Sequence, residues 1–210
     1  MMTREQYSRR ATMDVRDACA LALSRLLAGI DVVIDGQRVR FTQVYDQWPT
    51  PDDKYVPPVA CVLPPDRWKY DDSIMTPHCL EETWEHDDDS GWALYKTAEM
   101  VNTFSVGIRT TSSAGRTIIK LALEDAFQSP GLLMDQTNGP RYGVVLPLPE
   151  YWGLHASAWL LDGSNSDSDD AAMRSHREAT FSVKMQCSKV QLGPCVPAAM
   201  TITKLFTVGA

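Results

Sequence analysis

The chain has 210 residues, a net charge of −7, 44% hydrophobic residues and 22% charged residues. That length favours one domain around one core, and the composition is that of a soluble globular protein, not a disordered or fibrous one. The acidic balance argues against a protein that grips nucleic acid by its phosphates, which takes clustered Lys and Arg. No run approaches the roughly 18 apolar residues of a membrane helix.

The first stretch, "MMTREQYSRRATMDVRD", is polar and lacks the apolar centre of a signal peptide. The expectation is a protein made and kept in a cytoplasm, or assembled there into something larger. Thr3 with Gln6 fits a capping box, so a helix is predicted from there. Val15, Ala18, Cys19, Ala22, Leu26 and Leu27 recur at three- and four-residue spacing as its apolar stripe. Gly29 is placed to end it in the left-handed conformation. Arg4, Arg9 and Arg10 fall in the first turns, solvated or held against a partner. Asp35-Gly36 between two β-branched runs then predicts a tight hairpin.

From Trp48 the chain becomes proline-rich, with Pro49, Pro51, Pro57, Pro58, Pro64 and Pro65 around one apolar strand, Val59–Leu63. Residues 48–77 read as an extended insertion, because proline fixes φ and donates no ladder bond. Residues 79–99 predict a second hairpin with an acidic tip, His86 to Gly91. The next strand alternates, with Phe104, Val106 and Ile108 on one face and Ser105, Gly107 and Arg109 on the other. A second helix is predicted from about Ser113 to Gln128, with Ile118, Ile119, Ala122, Ala126 and Phe127 on its apolar side, Lys120 and Glu124 as a supporting pair, and Pro130-Gly131 to stop it.

"YGVVLPLPEYW" and "ASAWLLD" predict short strands. "LDGSNSDSDD" follows, and 162–176 is expected to be an exposed, mobile loop, with Ser168 or Asp169 capping a short helix over 170–174. "EATFSVKMQCSKVQL" alternates again, and Thr180–Val183 repeats Thr103–Val106 residue for residue. Two neighbouring central strands would explain the repeat. Together these elements predict a single α+β domain over 1–210: an antiparallel or mixed sheet carrying two main helices, plus long loops and an extra hairpin.

Catalytic and metal constellations are weak. His78, Glu82 and His86 recur every four residues, but on a strand the two histidines would stand roughly 26 Å apart. Ser157 lies two residues after His155 without an orienting acid, and reads as a strand edge. Calcium-loop registers starting at Asp162 or Asn165 both lack the Gly at position 6 and the Glu at position 12. The five cysteines (Cys19, Cys61, Cys79, Cys187 and Cys195) are odd in number and unpaired by spacing, so buried, reduced thiols are expected. No enzyme activity, metal or cofactor is predicted.

Charge, however, is segregated. From Tyr70 to Leu94 there are eight acidic residues and no Lys or Arg, whereas the N-terminal region holds Arg4, Arg9, Arg10, Arg16 and Arg25. Copies could associate head to tail on such a dipolar surface and close into a ring. The candidate assembly residues are Arg4, Arg9, Arg10 and Arg16 on the basic side. On the acidic side they are Glu85, Asp87, Asp88 and Asp89, with Asp167, Asp169 and Asp170 from the later stretch. The competing reading is a monomeric cation- or ligand-binding module that uses acidic segments 81–89 and 162–170.

"FSVGIRTTSSAGRTIIKLALEDAFQSPG" (104–131), "RYGVVLPLPEYWGLHA" (141–156) and "REATFSVKMQCSKVQL" (177–192) together resemble structural proteins of the tailed-bacteriophage neck and tail. The likeness is greatest to tail-terminator, or tail-completion, proteins. It implies an α+β subunit assembled as a ring of six in the virion. Such a ring ends the tail tube or sheath and joins it to the neck, and DNA passes through its lumen without specific binding. The implied partners are further copies of the chain and the tail-tube, sheath and connector proteins, with no membrane. The family has no catalytic residues to carry over, and the proline-rich region and acidic hairpin would be elaborations on it.

Overall fold

The computed structural model describes residues 8–34, 36–41, 43–49, 55–65, 69–71, 78–84, 91–128, 134–135, 139–140, 142–168 and 176–195. The described elements run α1 (Val15–Ala28), β1 (Asp31–Ile34), β2 (Gln37–Arg40), β3 (Val44–Tyr45), β4 (Val59–Leu63), β5 (Tyr70–Asp71), β6 (His78–Trp84) and β7 (Gly91–Thr110). They continue with α2 (Ser113–Ala126), β8 (Met134–Asp135), β9 (Gly139–Pro140), β10 (Tyr142–Leu148), β11 (Leu154–Ser168) and β12 (His176–Cys195).

Two strands of 20 residues, β7 and β12, form the spine and pair antiparallel from Arg177 opposite Thr110 to Cys195 opposite Gly91. The repeated segments face each other in this pairing, with Phe104 opposite Val183 and Val106 opposite Phe181. The sheet order is β10-β11-β12-β7-β4-β3, and the other side of β7 is covered in turn by β4, β5 and β6. Its pairs are antiparallel except the short β3–β4 contact. The fold is α+β, with a mostly antiparallel sheet and two helices. The acidic-tipped hairpin is β6 with the first residues of β7; its tip, 85–90, lies outside the described residues. The short hairpins β1–β2 and β8–β9 stand apart from the main sheet.

Alternation along the spine builds the core. Leu94, Met100, Phe104, Val106 and Ile108 of β7 share one buried cluster with Ala179, Phe181, Val183, Met185 and Cys187 of β12. Ala156 and Ala158 of β11 and Leu146 and Leu148 of β10 extend it. Both helices close this face. α1 contributes Val15, Ala18, Cys19, Ala22, Leu23 and Leu27, and α2 contributes Ile119 and Leu123, followed by Phe127. Ile118, expected on the apolar side, is half-buried, and Leu123 takes the deeper position.

Three expected boundaries are corrected. The N-terminal helix does not run on unbroken from Thr3. Residues 1–7 lie outside the described part, and α1 starts at Val15 because the Asp14 side chain caps it, accepting from the Arg16 and Asp17 N–H groups. Gly29 is right-handed at φ −77°, its N–H closing back on the Arg25, Leu26 and Leu27 carbonyls. The hairpin glycine, Gly36, does take positive φ, at 77°. The expected loop over 162–176 is strand as far as Ser168 and again from His176, since β11 and β12 pair from Ser157–Gln186 out to Ser168–His176. The polar composition had suggested a solvated connection, but a strand exposed on both faces carries such residues equally well. Residues 169–175, including the proposed short helix, are outside the described part.

The opposite face of the sheet is covered in part by the proline-rich region. The Trp48 ring lies against Gly107, and Val59, Cys61 and Pro49 are buried. A Cβ on Gly107 would stand 2.7 Å from the Cys61 sulfur and closer still to the Trp48 ring. Gly107→Ala is therefore expected to push Trp48 off the sheet and destabilise the protein by about 1–3 kcal/mol. Urea unfolding followed by tryptophan fluorescence would measure the loss.

Candidate functional site

Outside the core, charged side chains are used to fasten one segment to another. Arg109, directly opposite Glu178 across the β7–β12 pair, binds that carboxylate at 2.6 Å. It also donates to the Tyr55 hydroxyl at 3.0 Å and to the Pro49 carbonyl at 3.5 Å. Its guanidinium lies 4.7 Å from the Trp48 ring centroid. Burial alone would lower its pKa, but the bonds to Tyr55 and Glu178 outweigh that and raise it. The proline-rich segment is thus latched to the sheet by one arginine, and burial beneath it pushes the Cys61 thiol up to about 11.

A second fastening holds the segment before α1. Trp152 and Gly153 are both left-handed, at φ 58° and 66°. The non-glycine residue among them is fixed on both sides, since its N–H donates to the Arg10 carbonyl and its own carbonyl accepts from Arg10 Nη2, each at 2.9 Å. Thr12 and Met13 donate to the Glu150 carbonyl, and the Glu150 carboxylate grips Arg25 of α1 through both guanidinium nitrogens. That bond from Arg25 holds the Glu150 carboxyl below its ordinary pKa. Asp31, gripped by Arg38 and Arg40, is likewise depressed.

The third fastening lies at the far end of β11. Beyond Leu160 the sheet loses its outermost strand, because β10 ends opposite that residue with Tyr142. Leu161 is the extra residue of a bulge between Leu160 and Asp162. Residues 162–168 then continue as strand, paired with β12 on one side; among the described residues no strand pairs the other. Leu161 to Asp167 are all exposed. This arm is tied to α2 by Arg116, itself largely buried, which ion-pairs with Asp167 and also donates to the Glu178 carbonyl at 3.3 Å.

The sequence-predicted assembly residues are not brought into one site. Arg4, Glu85, Asp87, Asp88, Asp89, Asp169 and Asp170 lie outside the described residues. Arg9 and Arg16 are exposed, with Arg16 3.5 Å from Asp17. Arg10 is half-buried and Arg25 is paired, so neither is free to face a partner. Asp167 is on the exposed arm. Arg109 and Arg116, which fasten the proline-rich segment and the β11 arm, were not singled out, and neither were Glu150, Trp48 and Tyr55. The signal available for Arg109 was its place on the polar face of an alternating strand beside Gly107.

His78 and Glu82 are on β6, while His86 lies outside the described residues. His155 and Ser157 are on β11, and Ser157 sits between β10 and β12 instead of on the expected edge. Among the described residues no three His, Cys, Asp or Glu gather as a metal-binding group. β11 spreads Asp162, Asn165 and Asp167 along an extended strand, where a calcium loop would wrap its ligands round one point. None of the described helices is long and apolar enough to cross a membrane. No protein-family model matches the chain, and no curated protein matches its sequence.

Two predictions follow from the ties. Arg116→Ala removes the bond to the arm, so amide exchange over Asp162–Ser168 should quicken about two- to fivefold, the equivalent of about 0.5–1 kcal/mol, with Leu154–Leu160 unchanged. The depressed Glu150 carboxyl contributes stability that is present above its unfolded pKa, about 4.3, and lost as pH falls through its lower folded value. Glu150→Gln should be less stable than wild type at pH 7 and show a shallower loss between pH 5 and 2, measured by circular dichroism during acid titration.

Proposed function

We propose that this protein is a virion structural subunit that assembles as a ring, of six copies in the leading reading, at the head–tail junction of a tailed bacteriophage. There it ends the tail tube or sheath and joins it to the neck. The observation that carries the reading is the exposed arm of β11, Asp162 to Asp167, whose outer side no strand pairs among the described residues. Such an edge, held in place by Arg116, is completed by association with another chain.

The segments that resemble neck and tail proteins support the reading by where they fall. Residues 104–131, 141–156 and 177–192 include most of the second half of β7, α2, β10, the start of β11 and most of β12, which are neighbours in one layer and its covering helix. The acidic balance suits a lumen through which DNA passes without sticking. Arg9, Arg16 and the acidic hairpin remain the proposed charged contacts between copies, and tube, sheath and connector proteins the proposed partners.

Size-exclusion chromatography with light scattering tests this. The expected result is a closed oligomer of about six subunits, visible as rings by negative-stain electron microscopy. A chain that stays monomeric up to about 100 μM at both low and high salt would sink the reading.

A further inference from the structure

Two thiols meet inside the core. Cys19, on the buried stripe of α1, and Cys187, on the helix-facing side of β12, are 0% and 2% exposed and belong to one apolar cluster. Their side chains hydrogen-bond to each other, and neither is in a disulfide. We infer that the two are a redox pair: meeting a small-molecule disulfide before the core has closed, they join as an intramolecular disulfide that bolts the first helix to the central strand. Both lie within one subunit, so this chemistry is the same whether or not copies associate.

The surroundings fit that bond and direct it. Ala18 and Ala22 flank Cys19 on the buried side of α1, and side chains this small let the helix backbone come close to the sheet. The sulfurs are already in hydrogen-bond contact, so closing to the ~2.05 Å of a disulfide is a short step within the core. Cys61, also buried, lies on the opposite face against Gly107 and the Trp48 ring, with the sheet between it and Cys19. Met100, directly across from Cys187 on β7, is a thioether and cannot form the bond.

Thiol–disulfide exchange balances the step. One protein thiolate attacks a sulfur of the small disulfide, so that one small thiol leaves and a mixed disulfide remains. The second protein thiolate attacks the protein-bound sulfur and displaces the second small thiol. The two protein thiols give up two electrons, and their two protons end on the two released thiols. In the folded subunit the hydrogen bond with Cys187, and then burial, hold Cys19 protonated, far above the ordinary thiol range. The reaction accordingly belongs to the folding chain, or to a core opened at α1, where both sulfurs meet solvent. The same burial then shields the finished bond from reductants.

The test refolds the full wild-type chain from urea in a mixture of oxidised and reduced glutathione, blocks the remaining thiols with iodoacetamide, and maps the tryptic peptides without reduction. Trypsin isolates each partner on a peptide with no other cysteine, residues 17–25 and 185–189. The expected product is those two peptides joined with the loss of two hydrogens. The intact chain should then have a Tm about 5–10 °C above that of the chain refolded with dithiothreitol instead. Cys19→Ala should give neither the joined peptides nor the rise in Tm. A wild-type chain in which the two peptides stay separate, or are joined with no rise in Tm, overturns the inference. Pairing of Cys19 with Cys61, Cys79 or Cys195 in place of Cys187 overturns it equally.

Discussion

The antiparallel pairing of β7 with β12 is the interaction on which the other elements depend. Each of these strands is long enough to serve several shorter ones, so β4, β5 and β6 share one side of β7 while β11 lies along β12. The same pairing sets the burial pattern. Phe104, Val106 and Ile108 meet Val183, Phe181 and Ala179 on one face, and both helices then have a single apolar floor to cover. A one-residue slip would reverse every inward side chain. The identical Thr-Phe-Ser-Val segments are a consequence, since two central strands facing each other under the same helices meet the same packing demands.

Departures from regular pairing are compensated by hydrogen bonds. Thr97 is an extra residue of β7 where the register shifts at Lys189–Val190, and its hydroxyl donates to the Lys189 carbonyl at 3.3 Å. The Val190 N–H donates to the buried Tyr151 hydroxyl at 2.9 Å, which ties the bulge to the turn between β10 and β11. Asn102, buried among apolar residues, accepts from the Lys69 N–H and donates to the Lys69 carbonyl. It thereby does for an irregular segment what a neighbouring strand would do. These bonds keep long strands in register across places where the ladder alone would slip.

Much of this was legible from residue order. The Asp35-Gly36 hairpin, the Val59–Leu63 strand, the second helix and the neighbouring placement of the two repeats all follow from local rules of turn chemistry and periodicity. What local rules missed depends on partners distant in sequence. α1 begins at the Asp14 cap because residues 10–13 are bonded to the turn at Glu150–Trp152, far along the chain. Residues 162–168 look like a loop by composition, and β12 makes them a strand. The candidate site was legible only in its charge pattern. Which side chains each arginine engages depends on contacts such as Arg25 with Glu150, which no spacing announces.

The position of β12 also has a consequence for how the chain is made. It is the last described strand in sequence yet it lies between β7 and β11 in the sheet, so the ribosome delivers the centre of the sheet after almost everything around it. Until then β7 lacks its longest partner, and β11 is held by β10 over Leu154–Leu160 alone. A prematurely ended chain would therefore lose the middle of its sheet, not merely a frayed end. Completion of β12 is thus the step that joins the β4–β7 half of the sheet to the β10–β11 half.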